Sequence, residues 1–384
     1  MTADSPISTE VLARIEELSA DIVGLSHAIH DDPELAYQEV RSSGRCADVL
    51  ESGGFAVERR AYGLATAFAA RAGSNGPHLV VCAEYDALPV VGHACGHNII
   101  AAAAVGTGLA LRPILERAGL RLTVLGTPAE EVGGGKVDLI LGGAFEGVDA
   151  ALMIHPAPYD TYDSAGLAIE EWSVVVHGKA SHASAAPELG RNALDGLVAG
   201  YCAIAMLRQH LRPWQQVHGI ITHGGDAANI VPERAAATYY LRAIDMADLD
   251  DLRDRVRAAL EGGAGATGTR VEIEQVGHVY EPIRTNPGLA AAFTRACEVI
   301  ERPFCADPDG PSPGGSTDFG NVSQLVPGLH ASMAVGSYPA VNHQHEFAAH
   351  CVGAQGDATL IEAVKAMSLT ALALAADPGL LTRE

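Results

Sequence analysis

The sequence predicts an α/β protein, a mixed sheet with flanking helices, carrying an inserted α+β domain of ferredoxin-like order. Three observations lead there. Apolar runs such as Leu79-Val80-Val81-Cys82-Ala83 and Ala150–Ile154, bounded by turn formers, read as buried strands. They alternate with stretches of helical apolar spacing. From about Gly166 the order changes to β-α-β-β-α-β, which fits a ferredoxin-like unit with an antiparallel sheet. A chain of 384 residues can bury a large core and divide in two. The expected division is residues 1–167 with 284–384, and an insert, 168–283.

Thr9–Ile29 spaces its apolar residues as a helix, with Ser8 or Thr9 as its cap, and Pro33 ends the pattern. A second helix, Val40–Glu51, stops at Gly53-Gly54. Ala65–Ala70 and Leu79–Ala83 read as strands, Ala101–Leu111 as an Ala-rich helix and Arg121–Gly126 as the next strand. In the insert, Ile169–Val176, Val217–Thr222, Ala235–Arg242 and Val271–Gln275 are strands, and Asn192–Leu211 and Leu249–Leu260 helices. Helix Leu289–Ile300, strand Leu329–Val335 and helix Gly356–Ala375 close the chain. An open strand edge in such an insert invites pairing with a second copy, so a homodimer is expected.

A formal charge of −22 argues against nucleic acid or an anionic membrane as partner, because both need a basic surface. Seven scattered Cys do not resemble a disulfide framework, and Met1–Glu10 lacks a basic-then-apolar signal pattern. No uninterrupted apolar run reaches the roughly 18 residues of a membrane span. The expectation is a soluble, cytoplasmic protein.

The chemistry concentrates between Cys82 and His97, where Glu84, Asp86, His93, Cys95 and His97 follow a strand and enter a loop. Carboxyl ends of strands are where open α/β sheets place their sites. Thiolate, imidazole and carboxylate together suit zinc or a similar divalent ion. The next strand delivers Glu130-Glu131, two adjacent carboxylates that are costly to bury unless a cation sits between them. One could ligate while the other takes a proton from water. Gly133-Gly134-Gly135 follows without the Lys-Ser/Thr pair of a phosphate loop, which excludes a nucleotide site on this pattern. A third strand ends on His155. In the insert, His182, Asn229 and Arg242 stand out as polar residues at strand or turn positions.

Taken in order, His30-Asp31-Asp32-Pro33-Glu34-Leu35, Tyr85-Asp86-Ala87-Leu88-Pro89, Gly92-His93-Ala94-Cys95-Gly96-His97-Asn98, Pro128-Ala129-Glu130-Glu131, the His182 segment, Asn229-Ile230-Val231-Pro232, Gly315-Ser316-Thr317-Asp318 and His343 near Phe347 form a specific series. With it the chain resembles the M20 metallopeptidase and amidohydrolase family, in the branch of N-acyl-amino-acid amidohydrolases and aminobenzoyl-glutamate hydrolase. The resemblance covers essentially the whole chain and implies a zinc-peptidase-like catalytic domain with an inserted lid and dimerisation domain. It implies two divalent ions, zinc or manganese with cobalt as a third choice, held by Cys95, His97, Glu131, His155 and His343. His345, two residues on, competes with His343 for the last place. Glu130 would be the general base and Asp86 the residue that orients a ligand or Glu130. His182 would polarise the scissile carbonyl or hold substrate. Asn229, Arg242 and Asp318 would bind substrate, an N-acyl amino acid or dipeptide-like amide. The rival reading is a metal-bearing scaffold that binds a carboxylated ligand without turnover.

Overall fold

Alternate residues of the central strands serve two different cores in the computed structural model, which describes residues 5–163, 166–308 and 315–382. Its six-stranded sheet contains β1 (Ala56–Arg59), β2 (Phe68–Ala72), β3 (His78–Glu84), β4 (Arg121–Thr127) and β5 (Ala150–Ala157). The four strands β6 (Ala168–His177), β7 (Gln216–His223), β8 (Arg234–Ala243) and β9 (Arg270–Tyr280) form a separate sheet, and β10 (Gly328–Ala334) completes the first. The order of the large sheet is β1-β2-β4-β3-β5-β10, antiparallel through β4 and parallel from β4 to β10.

Strand side chains alternate faces. Leu79, Val81, Ala83, Leu152 and Ile154 pack with the helices Pro6–His30, His97–Leu111 and Ala354–Ala376. Val80, Cys82, Ala151 and Met153 pack on the other side with Leu139, Phe145, Phe319 and Val322. That double burial is why these strands read as continuous apolar runs. The chain passes from β3 to β4 on one side and then to β5 on the other. The sheet therefore reverses its direction of growth at β3, and the carboxyl ends of β4, β3 and β5 frame a crevice.

The helix His97–Leu111 is buried along its whole length. Two helical stretches, His97–Ala118 and Ala354–Ala376, are long and apolar enough to cross a membrane by composition. Both pack into this core, and 89% of the first stretch's most apolar window is buried. Polar residues such as Asn98 and Thr107 inside the first stretch broke the run in the sequence.

By contact the chain separates into Met1–Ala165 with Ile283–Ser312 and Thr317–Glu384, and Gly166–Pro282 with Pro313–Ser316. The second unit has the sheet order β7-β8-β6-β9, fully antiparallel. Strict alternation along β6 buries one face under the helices Ala193–Leu207 and Met246–Ala266. Edge strand β7 turns Ile220 (66% exposed) and Ile221 outward. Among the elements the sequence left unassigned are β1 and the helix Gly135–Leu141. Both are short, and the run Gly133-Gly134-Gly135, whose last residue opens the helix, read only as a phosphate-loop pattern.

Candidate metal centre

Four neighbouring strands of the first unit bring its ligand-type residues together. β3 ends at Glu84 and leads to Asp86, β4 leads to Glu130 and Glu131, and His155 lies near the end of β5. The loop after β10 carries His343, whose backbone N–H donates to the Ala94 carbonyl at 2.8 Å. Cys95 and His97 stand where that loop meets the buried helix. Gly96 between them has φ +79°, a left-handed conformation that side chains resist. A Cβ there would lie 2.3 Å from Pro156 Cγ.

Cys95 Sγ lies 3.6 Å from His155 Nε2 and 3.5 Å from His343 Nε2. His343 Nε2 is 3.6 Å from Glu131 Oε2, and His97 Nε2 is 3.7 Å from Glu131 Oε1. Two groups that could hold a metal ion result, Cys95 with His97 and His155, and Cys95 with Glu131 and His343. They share Cys95. Of the competing pair, His343 joins the cluster, while His345 starts the helix His345–His350 and joins none of these groups among the described residues.

The surrounding hydrogen bonds aim these ligands. Asp86 Oδ1 is 3.0 Å from His97 Nδ1, and its Oδ2 accepts the Glu131 N–H at 2.9 Å, so one carboxylate orients two ligand residues. His155 Nδ1 is 2.8 Å from the Pro156 carbonyl, which places the ring proton there and leaves Nε2 a lone pair. Asn342 Nδ2 donates to the same carbonyl at 3.2 Å and approaches Cys95 Sγ at 3.8 Å. Burial lowers the His155 pKa to about 3, so the ring is neutral, as a ligand must be. Burial alone would lower that of His97, yet Glu84 and Asp86 hold it well above the usual value. Burial and the neighbouring Glu84 and Glu131 push the Glu130 carboxyl well up, and burial raises Glu131.

Crowded, buried carboxylates that resist ionising call for a cation. His97 Nε2, Glu84 Oε1 and Glu131 Oε1 are buried and face one another, Glu84 at 3.0 Å and Glu131 at 3.7 Å from His97, yet none of the three makes a hydrogen bond among the described residues. With a thiol and three imidazoles converging on the same space, the donor set fits divalent metal. Glu130 is 8% exposed and forms a third close group with Glu84 and His97.

Sequence reasoning placed Asp318 toward substrate. Instead it is wholly buried. One of its oxygens accepts from the Lys136 ammonium at 2.7 Å and the other from the Lys136 backbone N–H at 2.8 Å. Glu84 received no role from the sequence and Lys136 went unnoticed. A lysine directly after three glycines was the available signal, and it was set aside with the phosphate-loop pattern. His93, noted in the same loop, is buried beside the His30 ring and joins none of the ligand groups.

The remaining candidates lie in the second unit. Ala183 N–H donates to the Asn229 carbonyl at 3.0 Å and Val231 N–H to the Ser181 carbonyl at 2.9 Å, so His182 and Asn229 sit on adjacent segments. His182 Nδ1 accepts from the Ser184 and Ala185 N–H groups, which leaves its proton on Nε2. Arg242 is not part of this pair. It sits at the far end of β8, about 25 Å along the strand, where its Nη1 donates to Ser316 Oγ at 2.8 Å.

Residues 167–267 match the model of the peptidase dimerisation domain. Over 96% of this chain and 89% of the relative, the sequence is 39% identical to the Xaa-Arg dipeptidase of Mus musculus. It is 34% identical to a p-aminobenzoyl-glutamate hydrolase chain of Escherichia coli (strain K12), over 68% of this chain and 59% of that one. A solved dinuclear metal-binding peptidase of Bacillus subtilis, described as M20, shares the fold with a TM-score of 0.72 at 20% identity, covering 94% of this chain and 99% of that one.

Proposed function

The chain belongs to the M20 family and is a metal-dependent amide hydrolase, and from that premise we propose that it cleaves dipeptides or closely similar N-acyl amino acids. Among these, a basic C-terminal residue is the preferred leaving part, a reading supported by the 39% identity to a relative named for Xaa-Arg. The observation that carries the hydrolytic reading is the pair of ligand groups joined at Cys95 with Glu130 beside them.

Cys95, His97 and His155 would hold one divalent ion, and Cys95, Glu131 and His343 a second, with zinc or manganese suiting the mixed donors and cobalt a third choice. When bound, such an ion supplies Lewis acidity toward the scissile carbonyl and toward water. Glu130 takes the proton of the attacking water and returns it to the leaving nitrogen. Asp86 keeps His97 and Glu131 in place. His182, with its proton on Nε2, has the donor needed for charge developing on the carbonyl oxygen. Asn229 next to it offers the substrate a further polar contact. The dimerisation-domain match supports a homodimer.

The test is a hydrolysis panel with defined Zn²⁺, Mn²⁺ or Co²⁺, spanning dipeptides with basic and neutral C-terminal residues, N-acetyl amino acids and aminobenzoyl-glutamate. Preferential, chelator-sensitive release of Arg, Lys or ornithine supports the reading. Release from aminobenzoyl-glutamate alone replaces the substrate class. Glu130→Gln should keep its metal and lose about 10²–10⁴ in kcat. Activity at the wild-type level would remove Glu130 from its role.

A further inference from the structure

Glu84 and Lys136 have no role in the hydrolysis proposed above, yet they sit where the loops to Asp86 and to Glu130-Glu131 diverge. Glu84 pairs in register with Thr127 at the ends of β3 and β4. Beyond that pair one strand continues to Asp86 and the other to Glu130 and Glu131. Two ties join the separated segments. The first is Asp86 accepting the Glu131 N–H. The second is Lys136, in the first turn of the helix that follows the Glu130-Glu131 loop. Its ammonium bonds to Glu84 Oε2 and to Asp318 Oδ1, and all three side chains are fully buried.

Packing alone does not call for this arrangement, because an apolar trio of similar volume stabilises a core as well or better than a buried ion network. What the ionic arrangement adds is direction. With Oε2 taken by Lys136, Glu84 turns Oε1 toward His97 Nε2, 3.0 Å away. Asp318 in turn fixes Lys136 at both its ammonium and its backbone N–H.

We propose that Lys136 is a positioning residue for the hydrolytic site: it sets the loop carrying Glu130 and Glu131 against the end of β3 and aims Glu84 at His97. The inference rests on the hydrolytic reading above. Lys136→Met is compared with wild type for kcat, KM, bound metal by elemental analysis, and amide hydrogen exchange over residues 129–135. Expected are unchanged metal content, faster exchange in that loop, a kcat lower by about 10²-fold and a KM within about threefold, since displacement by about 1 Å carries such a cost. Should Lys136→Met fail to fold, the triple variant Glu84→Gln/Lys136→Met/Asp318→Asn, which removes all three charges together, is read the same way. Wild-type kcat in the folded variant overturns the proposal. So does a kcat loss in proportion to lost metal, because Lys136 would then serve ligand retention. If the wild-type chain turns over no amide, the hydrolytic reading fails, and unchanged exchange in the variant would still reject the tie.

Discussion

Gly96 shows how a single backbone position can control a ligand set. Its left-handed φ turns the chain between Cys95 and His97, and the missing side chain makes room for Pro156. Gly96→Ala should cost at least about 1–2 kcal/mol from conformation alone and lower metal content as well. The measurements are a urea midpoint and bound metal, and an unchanged metal content would separate the turn from the ligands. Asp32 offers a test of a different kind. Hydrogen bonds from Arg41 and Arg45 bring its pKa from 3.8 down to about 2. A depressed carboxylate stabilises the fold fully above its unfolded value, and that contribution disappears as pH falls through the folded one. Asp32→Asn should therefore lower the urea midpoint near neutral pH, with the gap to wild type closing between pH 4 and pH 2. A gap independent of pH would exclude the ion pair as its cause. The ligand residues were legible because each follows a strand end or stands in a short polar motif. The pairing of Lys136 with Asp318 was not, because nothing local reveals that a lysine is buried, and this acceptor lies 182 positions away.

At the scale of elements, periodicity was a sound guide wherever an element has one clear environment. β6 alternates because one face is covered, and β3 runs apolar because both are. The helix His97–Leu111 was legible from Ile99 onward, its Ala-rich body from Ala101. The two residues added before it, His97 and Asn98, are polar, and their burial follows from tertiary packing, with Asn98 Nδ2 donating to Ser26 Oγ at 2.8 Å. Strand β7 is one of the two edges of its sheet, β9 being the other. It is an edge with an outward Ile220, and in the homodimer proposed here it supplies an open ladder for a second copy. Ile220→Lys should shift the protein from dimer to monomer in sedimentation while leaving its thermal transition within a few degrees. A variant that stays dimeric would move the interface away from this strand.

For the whole molecule, the charge of −22 and the change of element order after Gly166 were the informative bulk features. The first disfavours polyanionic partners, and the second marks an inserted unit from order alone. Neither discloses that the metal centre and the main core share a part. The helix that begins with the candidate ligand His97 is packed by Pro6–His30 and Ala354–Ala376 and is buried to its last turn. Metal bound to the native state but not to the unfolded chain adds its binding free energy to folding. Stripping the ions with EDTA should therefore lower the melting temperature of the whole first unit, and readdition of Zn²⁺ or Mn²⁺ should restore it. An identical transition with and without metal would uncouple centre from core. In practical terms, a chelator would then act on this protein as a mild denaturant. A preparation inactivated by one would be softened at its centre, and its shelf life would depend on the purity of its buffer as well as on temperature.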